Sequence, residues 1–101
     1  MIIVNGTVRF GTGKLDGLKA DLARNIEATR AEPGCLSYNY GVDVQDADLV
    51  HVSEQWESEA AIDAHMSAPH MAEMMAAIGG AIEAVSIKAY DARFVRNVLG
   101  E

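Results

Sequence analysis

The stretch Glu54-Gln55-Trp56-Glu57-Ser58-Glu59-Ala60-Ala61-Ile62-Asp63-Ala64-His65-Met66-Ser67-Ala68-Pro69-His70-Met71 decides how the chain is read. It overlaps the end of a strand that begins at Leu49-Val50-His51-Val52. Ser58 is placed to cap a helix, and Glu59 follows where a carboxylate meets the positive end of the helix dipole. This short helix is predicted to end near Met66. Ala68 precedes a proline and is pushed out of the α region, so the chain turns a corner there. Pro69 suits the first turn of a second helix, where its missing N–H costs nothing. Met71, Met74, Met75, Ile78 and Ile82 give that helix an apolar stripe, interrupted or ended by Gly79-Gly80.

Outward from this stretch, the chain resolves into further elements. In the strand Leu49 to Trp56, Val50, Val52, Glu54 and Trp56 share one face, and His51, Ser53 and Gln55 the other. Cys35 to Val44 alternates strictly through Leu36, Tyr38, Tyr40, Val42 and Val44, which predicts a second strand. A turn over Asp46-Ala47-Asp48 joins the two as an antiparallel hairpin. Leu15, Leu18, Leu22 and Ile26 predict a helix from Lys14 to Arg30, stopped by Glu32-Pro33-Gly34. Met1 to Phe10 reads as the first strand, with Asn5 on the face opposite Val4 and Val8. Ala84 to Val95 reads as the last, followed by a tail. The order β-α-β-β-α-β, its second helix broken in two, predicts one α+β ferredoxin-like domain spanning residues 1–101. Its antiparallel sheet carries both helices on one face. A second subunit is the simplest cover for the other face, so a homodimer is expected.

Composition narrows the function. The net charge is −7, from 8 basic and 15 acidic residues. Nucleic acid and anionic membrane surfaces both demand a cationic protein, and neither is expected as a partner. One cysteine permits no intrachain disulfide. No apolar run approaches a membrane span, and the first residues lack the basic region of a signal peptide, so a cytoplasmic protein is expected.

Glu54-Gln55-Trp56-Glu57-Ser58, Ala64-His65 and Ala68-Pro69-His70-Met71, together with Glu32-Pro33-Gly34-Cys35-Leu36-Ser37-Tyr38, resemble the ABM (antibiotic biosynthesis monooxygenase) domain family. The similarity is greatest to its quinol monooxygenase-like branch. The resemblance implies a dimeric α/β barrel of two packed sheets, with a pocket in each subunit between helices and sheet. It also implies oxidation of quinols or anthrone-type phenols by molecular oxygen, without flavin or metal. Two departures stand out. Val52 occupies the place of an Asn found in the anthrone-oxidising branch. His65 and Met75 stand near the places of a Trp and an iron-ligating His in haem-degrading relatives, which disfavours haem degradation.

Oxygen chemistry without a cofactor needs a base, hydrogen bonds for an anionic substrate and a dry cavity. His65 and His70 flank the Pro69 corner and are the candidate catalytic bases, since imidazole titrates near neutrality. On a continuous helix they point apart; the corner offers a way to bring them together. The alternative is that an imidazole there satisfies a helix end. Glu54 shares an apolar strand face and is expected either to orient a histidine or to bond a backbone group. Trp56, Tyr40, Tyr38, Val52 and Met66 are the expected substrate-binding walls, with core packing as the other reading of Trp56. His51 and Asn5 fall on the opposite face, and Cys35 reads as inert packing. Three scattered histidines lack metal-ligand spacing, so no metal and no cofactor are expected. The leading expectation is a cofactor-independent monooxygenase acting on a quinol or related phenolic or polycyclic aromatic with O2. Its rivals are a non-catalytic dimeric binding protein for a small hydrophobic metabolite, and an isomerase or decarboxylase on the same scaffold.

Overall fold

A computed structural model describes residues 1–101. The strand β1 runs from Ile2 to Phe10 and is central to the sheet. β2 (Cys35–Asp43) and β3 (Asp46–Trp56) form the hairpin, and β4 (Ile82–Asp91) closes the chain's regular structure. The strand order is β2-β3-β1-β4. All three pairings are antiparallel. The helices are α1 (Lys19–Arg30), α2 (Glu59–Met66) and α3 (Pro69–Ile78). This is the ferredoxin-like α+β fold, its second helix divided at the Ala68–Pro69 corner.

Register follows the alternation of side chains. Val4 lies opposite Glu54, Gly6 opposite Val52 and Val8 opposite Val50, so these residues share the face that the helices cover. On β4, Ala89, Ile87 and Val85 continue that face beside Val4, Gly6 and Val8. Gly6 is required by the close approach of β4, because a Cβ there would lie 1.9 Å from the Ser86 carbonyl oxygen. Two apolar clusters pin the helices down. One joins Phe10, Leu15, Leu22, Val50, Met74 and Ile78; the other joins Val4, Tyr38 and Trp56.

Three boundaries differ from the sequence expectation. Leu15–Leu18 forms a 3-10 turn, and the α-helix proper begins at Lys19. Gly17 lies within that turn, where its backbone freedom disfavours an α-helical start. The hairpin reverses at Val44-Gln45, while Asp46–Asp48 belongs to β3. Asp43 accepts from the Gln45 amide at 2.9 Å and Asp46 from the Asp48 amide at 3.0 Å, so aspartates brace both sides of the turn. β4 runs from Ile82 to Asp91 rather than from Ala84 to Val95. Its length is set by its partner: Phe10 faces Ile82, Ile2 faces Asp91, and the Ala92 amide makes a last bond to the Met1 carbonyl.

Candidate active site

Between the helices and the sheet lies a cavity of about 420 Å³. Its floor comes from Val4, Val8, Val50 and Val52 on the sheet, and its roof from Leu22, Met71, Met74, Met75 and Ile78. The charged or titratable lining groups besides the two tyrosines Tyr38 and Tyr40 are Glu54, His65 and Lys88. An apolar pocket with a few convergent polar groups is the usual form of a small-molecule site.

The corner that turns α2 into α3 sets the histidines. Ser58 caps α2 by accepting from the Ala61 amide, and Ala68 is extended (φ −69°, ψ 143°) ahead of Pro69 at the start of α3. His65, in the last turn of α2, and His70, in the first turn of α3, then have ring centroids 6.1 Å apart. His65 is buried against Trp56 and Tyr38, with centroids at 4.8 and 5.3 Å. His70 is partly exposed and lies outside the cavity lining.

The carboxylate that reaches both histidines is Glu32, in the turn after α1, rather than Glu54. His65 Nδ1 donates to Glu32 Oε2 at 2.8 Å, and His70 Nε2 lies 3.1 Å from Glu32 Oε1. Thr29 Oγ1 stands 3.3 Å from the same His70 nitrogen. Burial holds the His65 pKa below the usual imidazole range, against the opposing pull of the Glu32 charge and hydrogen bond. The Nδ1–H bond to a carboxylate fixes the tautomer and leaves Nε2 as the acceptor.

Glu54 instead accepts from Trp56 Nε1 at 2.9 Å. The register explains this: residues two apart on β3 share a face, so the indole N–H meets the carboxylate directly. Burial pushes the Glu54 pKa up, the Trp56 bond offsets part of that, and the Glu32 charge adds to it. Trp56 is fully buried and does not line the cavity, so it packs in the core and supports His65 rather than walling a substrate. Tyr38, Tyr40 and Val52 do line the cavity, and Met66 lies at its margin, largely exposed.

A polar knot closes one side. Asn25 Nδ2 donates to the hydroxyls of Tyr38 and Tyr40, each at 3.2 Å, and the two hydroxyls bond each other. Burial raises both phenol pKa values, so the rings remain neutral donors near neutrality. Asn25 Oδ1 is buried without a partner. From sequence alone, Asn25 and Thr29 have no site role, and Glu32 enters only in the helix stop Glu32-Pro33-Gly34 and the stretch that follows. Their signal was present: Leu18, Leu22, Asn25 and Thr29 follow at four-, three- and four-residue steps, the spacing of one helix face. His51, by contrast, pairs with Asp43 at 2.8 Å on the opposite face of the sheet, as its alternation predicts. Cys35 is free and half-buried, with its thiol pKa raised chiefly by burial.

The fold also assembles a potential metal-ligand set that sequence spacing does not reveal. One donor atom each from Glu32, His65 and His70 lies within 4.8 Å of the others.

The profile of the antibiotic biosynthesis monooxygenase family matches residues 1–77, three-quarters of the chain. The chain belongs to the antibiotic biosynthesis monooxygenase family. An uncharacterised protein of Synechocystis sp. is 31% identical over 74 residues, covering 73% of this chain. A Mycobacterium tuberculosis protein, named a monooxygenase by inference, is 37% identical over 62 residues, or 61% of this chain. These matches span only 50% and 60% of those relatives' own lengths. A crystal structure from Deinococcus radiodurans, assigned by inference to the same family, superposes with a TM-score of 0.89 at 27% identity. That match covers 99% of this chain and 100% of the other. A family structure from Chloroflexus aurantiacus, likewise assigned by inference, gives 0.80 at 26% identity, covering 96% of this chain and 97% of that one. Membership of the antibiotic biosynthesis monooxygenase family accords with the sheet-and-helix cavity.

Proposed function

We propose that this chain is a cofactor-independent monooxygenase that oxidises a quinol or related phenolic aromatic with O2 in the cavity beneath α3. The observation that carries the reading is the placement of His65: it lines a mostly apolar cavity while its Nδ1–H is held by Glu32. Its Nε2 is then the acceptor available to a phenolic proton. Once protonated at Nε2, His65 can pass its Nδ1 proton to Glu32 and on to His70, which has access to solvent. One hydroxyl proton is used in the bond between the neutral Tyr38 and Tyr40, so the pair supplies a single donor for the substrate anion, the Tyr40 O–H that otherwise meets the Met74 sulfur.

The anion gives one electron to O2, and the resulting superoxide combines with the carbon radical. The peroxide anion so formed takes a proton back from His65, and the resulting hydroperoxide loses water to leave a carbonyl. The substrate supplies all four electrons; one oxygen atom stays in the product and the other leaves as water. Apolar walls keep bulk water from the anion and the radical pair.

In the same reading the chain acts as a homodimer. Only 14 of 101 residues are buried in the single chain, which leaves the outer face of the sheet uncovered. Beyond β4, Phe94, Val95, Val98 and Leu99 are exposed, an apolar set that a second copy would shield.

The test is oxygen uptake by metal-free protein across a panel of hydroquinones and anthrones, measured against autoxidation. Uptake well above control supports the proposal. Uptake at control with ligand-raised melting temperature would replace it with a binding protein, and anaerobic turnover would replace it with an isomerase or decarboxylase.

A further inference from the structure

Glu32, His65 and His70 come from three separate elements: the turn after α1, the end of α2 and the start of α3. Their donor atoms converge within 4.8 Å, and His65 is almost fully buried. Two imidazoles and one carboxylate, with no thiolate, form a donor set suited to zinc-class cations rather than to magnesium or calcium. We propose that these three residues bind one divalent cation of the zinc class.

Zinc takes nitrogen and oxygen ligands at about 2.0–2.2 Å, so ligand atoms around it stand roughly 3.3 Å apart in a tetrahedron. The imidazole nitrogens lie 2.8 and 3.1 Å from different oxygens of Glu32, Oε2 and Oε1. With the three donor atoms converging within 4.8 Å, a modest turn of the carboxylate and the His70 ring brings one oxygen and both nitrogens to that spacing. His70 is the most exposed of the three, so its ring has the most room to adjust and gives the ion a path from solvent. A water molecule is left to complete the coordination.

Binding at Nδ1 carries a consequence for His65. The proton on Nδ1 must move to Nε2, so Nε2 changes from acceptor to donor. Atoms balance without net proton loss from the ring, because one tautomer replaces the other. The cation and the base function therefore compete for the same imidazole. The site itself rests on donor geometry and does not depend on the proposed oxidation.

The experiment uses the metal-stripped full chain titrated with Zn2+ and followed by calorimetry and by histidine ring NMR. The expected result is saturable 1:1 binding with shifts of the His65 and His70 signals and none of His51. His70→Ala and, separately, Glu32→Gln should each weaken binding at least tenfold, while His51→Ala leaves it unchanged. Absence of 1:1 binding, response of His51 alone, or equal affinity in His70→Ala would overturn the site. The NMR result on the unmodified chain decides the matter even where a variant fails to fold. Loss of oxygen uptake on zinc addition would tie the site to the oxidation; uptake absent throughout would overturn the oxidation and leave the binding result intact.

Discussion

His65 is the residue on which the proposed chemistry turns, because it alone combines contact with the cavity and a charged partner behind it. Replacing it with alanine removes the base without closing the apolar cavity. His65→Ala is expected to lower oxygen uptake by at least about 100-fold, the low end for general-base catalysis, with ligand-induced stabilisation retained. Steady-state uptake and thermal shift on the same samples check both halves. Glu54 offers a stability test. Its pKa in the folded chain lies above its ordinary value of 4.5. Between those two pKa values the unfolded chain has released its proton and the folded chain retains it. The favourable contribution is therefore fully present below pH 4.5 and is lost as pH rises through the folded value. Glu54→Gln keeps an acceptor for Trp56 Nε1 and removes the titration. The variant is expected to melt higher than the parent at pH 7, with the gap closing toward about pH 4. Equal melting temperatures at both pH values would show that Glu54 is well solvated.

At the scale of elements, the position of α2 depends on one glycine. Gly34 has φ +84°, and a Cβ there would meet the Ala61 Cβ at 2.7 Å. The left-handed backbone costs a side chain about 1–2 kcal/mol before any clash is counted. Gly34→Ala is expected to destabilise the chain by at least that amount in denaturant titration. Because Ala61 and His65 are one turn apart on α2, it should also lower uptake more than a surface glycine change such as Gly41→Ala. How much was legible in sequence differs along these elements. The Ser58 cap and the Pro69 corner were readable because each rests on a local rule about one residue type. The beginning of α1 and the end of β4 were not. Where a 3-10 turn gives way to an α-helix depends on packing, and where an outer strand stops depends on the length of its neighbour.

The whole molecule leaves much apolar surface open. Val85 and Ile87 on β4 lie on the cavity side, yet both remain exposed in the single chain. No helix is long and apolar enough to cross a membrane, so the exposed groups are not part of a helical span. Sedimentation equilibrium is expected to give a dimer, and Phe94→Ser with Leu99→Ser should shift it toward monomer. A monomer at all accessible concentrations would remove the homodimer from the proposal.

The amino-acid sequence by itself determined the element order, the two faces of β3, the cap at Ser58 and the corner at Pro69. Each follows from periodicity or from the covalent character of one residue, which neighbours far along the chain cannot change. The tertiary structure alone decided which carboxylate serves the histidines. Glu32 and His65 are 33 residues apart, and only the packing of α1 and α2 over the same sheet places them 2.8 Å apart. Glu54 looked equally suitable from its place on an apolar face, but an indole N–H two residues away on the same face occupies it first. Local geometry could be read in advance, whereas competition for a hydrogen-bond partner is settled only when the chain is closed.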